Sequence, residues 1–226
     1  MNIRISLKPD HIKNIVVGLI ALEVVFVIIY ALDFISQHPS WQVCELFDLD
    51  REANVPAWFS AMQLLFIGLT AFVIADHSSR THTPSKAFFN TIAVGFVYLS
   101  CDEAAAIHEK ITYTFYNNPL VPYFEGVHGV WIVVYGAVGI LLAILFHRDL
   151  IALWKMFRRE TLFLVAGVFT YLIGSAGAET ITFFHIDKSI PAVYTLEVVL
   201  EEFFEMAGAS VILGGMLLLA LRKSQQ

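Results

Sequence analysis

Eight carboxylates of this 226-residue chain fall in stretches otherwise built from apolar residues. Asp102, Glu103 and Glu109 lie within Ser100-Cys101-Asp102-Glu103-Ala104-Ala105-Ala106-Ile107-His108-Glu109. Glu179 follows a small-residue run, and Glu197, Glu201, Glu202 and Glu205 are interleaved with Val198-Val199-Leu200 and Phe203-Phe204. In a soluble protein such stripes are solvated faces. Inside a segment that crosses a bilayer, each ionised carboxyl costs about 3 kcal/mol or more unless it meets water, a base or an ion. Lys110 is the only base near these acids in sequence. The expected chemistry is therefore proton sharing or cation binding. Asp102, His108, Glu109, Glu179, Glu201 and Glu205 are the candidate metal ligands, and Glu103 and Glu202 the candidate general bases.

Mixed imidazole and carboxylate donors suit Zn, Fe or Mn better than Ca. His108 adjoins Glu109, whereas His128 and His185 read as interfacial hydrogen-bonding residues. Residue 112 is Thr, so His108-Glu109 does not open an H-E-x-x-H zinc helix, and the two E-x-x-H motifs of a di-iron site are not present. The metal expectation thus rests on clustering. Asp102 and Glu109, seven apart, would share one helical stripe with Ala105 and Ala106 between them; Glu197, Glu201 and Glu205, four apart, make a second.

A separate signal precedes the second apolar segment. Asp48, Asp50, Glu52 and Asn54 place oxygen side chains at every second residue, like the first half of an EF-hand loop. Ala53 stands where the loop needs glycine and Phe59 where it needs glutamate, so a complete EF-hand is excluded. A partial calcium clip closed by Glu45 or Glu125, or a hydrated acidic loop, are the two readings left. The following Asn54-Val55-Pro56-Ala57-Trp58 reads as a proline-started helix with an aromatic interface anchor.

The elements that must carry these residues are transmembrane helices. The composition is 58% hydrophobic and 15% charged, with mean hydropathy +0.69. That excludes a soluble globule, and the recurrence of apolar segments excludes a single anchor on a folded head. Six stretches reach about 20 residues: roughly 14–36, 56–75, 87–109, 129–147, 161–184 and 193–221. The first follows Arg4, Lys8 and Lys13 like a signal peptide, but its apolar run is too long and no cleavage site follows it.

The fold expected is an all-α, polytopic, single-domain bundle over 1–226. Eleven of the 14 Lys and Arg fall in the termini and two alternate loops, which places both termini in the cytoplasm. By that topology the outer side holds 15 acids and 3 bases, and the cytoplasmic side 4 acids and 11 bases, with Glu23 near mid-membrane. The run Gly174-Ser175-Ala176-Gly177-Ala178 lets a neighbouring helix come close. Cys44 and Cys101 both fall outside, where a disulfide is permitted, but Cys101 within a helix reads as packing.

Through Phe47-Asp48-Leu49-Asp50, Pro56-Ala57-Trp58-Phe59-Ser60, Leu99-Ser100-Cys101-Asp102-Glu103, His108-Glu109 and Glu201-Glu202…Glu205-Met206-Ala207-Gly208, nearly the whole chain resembles a family of small bacterial polytopic membrane proteins. That family has no settled activity; the resemblance implies a multi-pass protein of the bacterial inner (plasma) membrane. Over about residues 44–60 the acidic loop is similar to the calcium-holding loop of alkaline ceramidases. The chain departs from their zinc pattern, with no Ser-x-x-Phe-His in an early helix and Glu201 to Glu205 where a His-x-x-x-His would stand.

Three functions compete. One is a metal-dependent membrane enzyme, a hydrolase or di-iron-type oxidoreductase, acting on a lipid or amphiphile. Another is proton or cation transport, for which the inner half offers only Glu23 as a continuation. The third is a non-catalytic membrane subunit or assembly factor. Nucleic-acid binding is excluded by the few, topologically explained basic residues, and serine-elbow and phosphate-loop motifs are absent.

Overall fold

The computed structural model describes residues 8–79, 82–115, 130–178, 180 and 190–225. The described residues are helical throughout, without strands: α1 (Pro9–Ile35), α2 (Trp41–Phe47), α3 (Val55–Asp76), α4 (Lys86–Ala105), α5 (Ile107–Phe115), α6 (Val130–Leu145), α7 (His147–Met156), α8 (Arg158–Leu172) continuing as a π-helical segment (Ile173–Ala178), and α9 (Pro191–Lys223). Local sequence sets the starts. Asn54 Oδ1 accepts from Ala57 N at 3.1 Å and Pro56 follows it, fixing the entry to α3; Ser85 caps α4 through Phe88 N; Pro191 opens α9.

Among the described residues four helices are long and apolar enough to cross a membrane: α1, α3, α8 with its π segment, and α9. The pair α6–α7 would add a fifth, but the chain bends by 71° between them. The basic stretch 148–160, expected as a loop, is thus largely helix, with Leu150, Ile151 and Trp154 exposed along α7. The 20 residues of α4 are long enough to span, but fall short on apolarity, their last turns carrying Asp102 and Glu103.

Packing is organised around α9, which meets α1, α3 and α8, while α3 also meets α4. Ile67 and Ala71 of α3, Phe89 of α4, and Ala209, Ile212 and Leu219 of α9 form the core. Hence α4 and α9 both lean on α3 and barely meet each other, which leaves a cleft between them. Outside that cleft α6 touches α5 at one end and α7 at the other, and along its length reaches α4 through Tyr98 and Tyr135, whose hydroxyls lie 2.9 Å apart.

The two ends of the bundle differ. At the basic end Arg222 binds the buried Glu160 at 2.9 Å, Lys223 donates to Ser78 at 2.5 Å and lies over the Phe89 ring, and Lys86 pairs with Asp76. Asp149 of α7 accepts from Ser85 N at 2.6 Å, tying that helix under α4. At the opposite end lie the last turns of α4, the first turns of α9 and the loop before α3, with the acids.

Candidate functional site: a carboxylate-lined cavity

The cleft opens into a cavity of about 1240 Å³. Nine acids line it: Asp50 and Glu52 from the loop before α3, Asp102 and Glu103 from α4, Glu109 from α5, and Glu197, Glu201, Glu202 and Glu205 from α9. The cationic residues in that lining are Arg51 and His108. Arg51 is already committed, to Glu45 at 2.7 Å and Asp48 at 3.1 Å. The four-residue spacing of Glu197, Glu201 and Glu205 does give one stripe, and the close packing of α8 on α9 helps aim it at the cleft. Glu197 is buried and the other three α9 acids are partly buried.

The α4 acids are placed differently from expectation. Ala106 adopts φ 47°, a left-handed conformation that ends α4, so Asp102 and Glu109 do not share one continuous stripe. Asp102 instead caps the break: Oδ1 accepts from His108 N at 2.6 Å and faces His108 Nδ1 at 3.2 Å. The Tyr135 hydroxyl reaches the same carboxylate and bonds Tyr98 in turn. His108 also stands edge-on to Trp131, ring centroids 5.6 Å apart. Asp102, 5% exposed, is therefore the hub of a network that fixes His108, a pattern that assigns the imidazole tautomer and leaves Nε2 as the nitrogen available for a ligand or a proton. Glu109 is exposed at the cavity mouth.

Across the cleft, the strongest charged neighbour of Glu202 is Glu103, followed by Glu201. Ser60 of α3 lies against Glu103 from behind. Like-charged carboxyls facing one another in apolar surroundings favour sharing a proton or binding a cation. The ring is wide, however. Among the described residues, the group of three or more His, Cys, Asp or Glu whose ligand atoms all lie within 4.8 Å of one another is Asp33, His38 and Cys44, outside the cavity lining. A cation in the cavity would have to draw the acids inward.

The acidic loop does not converge on one point. Asp48 Oδ1 accepts from Asp50 N and Oδ2 meets Arg51; Asn54 Nδ2 donates to Asp48 O at 2.5 Å while its carbonyl caps α3; Asp50 accepts from the Tyr194 hydroxyl of α9 at 2.7 Å. Glu52, although exposed as a residue, lines the cavity, and its carboxyl is pushed up to about 7 by burial first and by the charge of Glu103 next. The loop is thus a rim that joins α9 through Asp50 and overlooks the acids through Glu52.

Glu179, His128, His185 and Glu125 lie outside the described residues. Cys44 and Cys101 are both free, and Cys101 is exposed rather than packed. Tyr98, Tyr135, Trp131 and Tyr194 were not singled out by sequence. Their signal is an aromatic polar tip within an apolar helix, which also marks ordinary interface anchors.

Away from the acids the cavity turns apolar, running between α4, α6 and α8 past Ile92, Phe96, Val138 and Leu142 to Phe88, Phe146 and Leu150. From Asp102 back to Phe88 along α4 is about 21 Å at about 1.5 Å per residue.

Residues 19–220 match a protein family described as a domain of unknown function, DUF8692. No curated protein matches the chain, the alkaline ceramidases included, and no solved structure matches it.

Proposed function

We propose, for a chain that belongs to the DUF8692 family, a metal-dependent membrane enzyme that takes a lipid or other long amphiphile into the cleft between α4 and α9. The observation that carries this is the two-zone cavity: nine acids with one histidine at one end, and an apolar limb that reaches back to about 21 Å from Asp102 at the other. Half of a hydrocarbon core of about 30 Å is about 15 Å, so the limb accommodates one extended lipid tail. At about 1240 Å³ the cavity also exceeds the usual range for drug-sized ligands, roughly 300–1,000 Å³.

In this reading the chain crosses a bacterial inner membrane six times, with both termini cytoplasmic and the acids opening outward. Asp102, Glu109, Glu201 and Glu205, with Glu179, supply oxygen donors, and His108 supplies nitrogen through Nε2. Such a donor set fits Zn, Mn or Fe, with Ca as the alternative at the rim of Asp48, Asp50, Glu52 and Asn54. A bound divalent ion would polarise an ester or phosphoryl oxygen, or lower the proton affinity of water. The chain's own residues do the rest. Asp102 and Tyr135 hold the His108 ring; Glu103 or Glu202, paired across the cleft, accepts and returns a proton; the apolar limb binds the tail and excludes bulk water.

Transport is the weaker reading. Glu23, its only inner continuation, is fully buried, with Oε1 accepting from Gln63 Nε2 at 2.9 Å and Ser210 Oγ at 2.6 Å, and it does not line the cavity. That interface is packed shut.

The test is elemental analysis of the purified protein with Asp102→Ala, Glu109→Ala and Glu205→Ala variants, together with mass spectrometry of co-purifying lipid. Expected are a divalent metal lost or reduced in the variants and a single-tailed or two-tailed amphiphile retained by the wild type. A wild type without divalent metal, indistinguishable from its variants, removes the basis of the reading.

A further inference from the structure

The outer end of α1 and the short helix α2 carry three potential ligands that the cavity does not use. We propose that Asp33, His38 and Cys44 form a second, independent binding site for a zinc-class divalent cation. One ligand atom from each residue lies within 4.8 Å of the other two. Tetrahedral zinc with bonds of about 2.0–2.3 Å separates its ligands by about 3.3–3.6 Å, so even ligand atoms at the 4.8 Å limit would close by only about 1 Å.

The backbone builds this approach. Gln37 and His38 both take left-handed conformations, φ 60° and 57°, and His38 N donates to Asp33 O at 3.0 Å. This hook returns the ring over the helix end, bringing Nδ1 to 2.5 Å from Asp33 Oδ2. Were the hook only a helix stop, its polar atoms would be satisfied by it. They are not: Asp33 is 9% exposed, and its second oxygen, Oδ1, is buried without a hydrogen-bond partner. A cation supplies the partner that this oxygen lacks.

The donor types narrow the occupant. Thiolate and imidazole exclude a preference for Ca²⁺ or Mg²⁺, and carboxylate with them favours Zn²⁺ over Cu⁺. Asp33, Asp48 and Glu45 lie around Cys44, and Arg51, the base among its strongest charged neighbours, pairs with Asp48 and Glu45, so the local field attracts a cation. His38 is half-exposed, which gives the ion a path from solvent. Three protein ligands leave the fourth position to water or an incoming group.

Cobalt substitution separates this site from the cavity, because only a thiolate ligand gives the sulfur-to-cobalt charge-transfer absorption and Cys44 and Cys101 are the only cysteines. The full chain in detergent is used, in a Cys101→Ser background that leaves Cys44 as the one thiol. The expected result is the charge-transfer band on adding Co²⁺, its loss in His38→Gln, and its persistence in Glu202→Gln. In the same background, zinc at about ten times its dissociation constant should slow maleimide alkylation of Cys44 about tenfold. His38→Gln keeps the thiol, so equal alkylation with and without zinc in that variant completes the case. No band in the Cys101→Ser protein, or alkylation that ignores zinc, overturns the proposal whether or not the cavity holds metal. So does a band that survives His38→Gln unchanged.

Discussion

Gly174 is where the acid stripe is most sensitive to a single methyl group. A Cβ at that position would stand 2.7 Å from Glu201 O, 2.7 Å from Glu205 N and 2.8 Å from Glu205 Cγ. Two of the three are backbone atoms of α9, and they cannot swing aside as a side chain does. Restoring an ordinary contact of about 3.4–4 Å requires the π segment and α9 to part by about 1 Å, which by overpacking destabilises the fold by about 1–3 kcal/mol. The movement is centred between Glu201 and Glu205, so it also displaces two candidate ligands. Gly177, three residues on, is the internal control. A Cβ there meets only Leu172 O at 3.4 Å and Ile173 Cβ at 4.0 Å, ordinary distances. We expect Gly174→Ala to lower the midpoint of thermal unfolding in detergent by about 2–12 °C and to weaken divalent-metal retention, with Gly177→Ala near wild type on both measures. A Gly174→Ala protein as stable and as metal-competent as Gly177→Ala would mean that the close approach of α8 to α9 does not position the acids.

The remaining predictions follow from the other polar contacts. Gln63→Leu should destabilise by about 1–3 kcal/mol, measured by denaturation in detergent, because it removes a donor from a carboxyl oxygen of the fully buried Glu23, whose other oxygen already lacks a partner. Asp102→Asn should leave the helix break capped through its remaining carbonyl but alter the tautomer of His108, read as a changed imidazole nitrogen shift by NMR and as a loss of metal retention larger than that of Glu109→Gln. Glu52, whose carboxyl is raised from 4.5 to about 7, keeps a proton in the folded state that the unfolded chain has already released, so this residue makes folded stability fall as pH rises from about 4.5 through 7. Thermal midpoints measured across that window should decline less steeply in Glu52→Gln; an equal slope refutes the placement of Glu52 over the acids.

The periodic and compositional features were legible in the sequence. Apolar length gave the spans of α3 and α9 to within two residues, and the i, i+4 spacing put Glu197, Glu201 and Glu205 on one face. The small-residue run foretold the contact now seen at Gly174. What failed was continuity. A helical stripe through Asp102 and Glu109 follows from spacing only if the helix runs on, and three consecutive alanines argue that it should. The chain breaks there because Asp102 offers a buried carboxylate to the His108 amide, a local side-chain competitor that periodicity does not register. The α6–α7 bend is a related case: Phe146 to Lys155 combines His147-Arg148-Asp149 and Lys155 with the apolar Leu150 to Trp154, a mixture shared by a loop and by a helix lying at an interface. The triad of Asp33, His38 and Cys44 was beyond reach for another reason. Its spacing fits no metal motif, and it exists only because two non-glycine residues turn left-handed.

The contrast between the bundle's ends bears on what the acids do. At the basic end three of the four described acids are matched: Glu160 to Arg222, Asp76 to Lys86, Asp149 to the α4 amide. The same chain therefore supplies bases where stability alone requires them. At the other end nine acids surround one cavity, and the single arginine of its lining is turned to Glu45 and Asp48 at the rim. The spread of these acids over the loop before α3 and over α4, α5 and α9, with a tyrosine–aspartate–histidine network fixing the one imidazole among them, is the arrangement expected of a site that takes a cationic ligand.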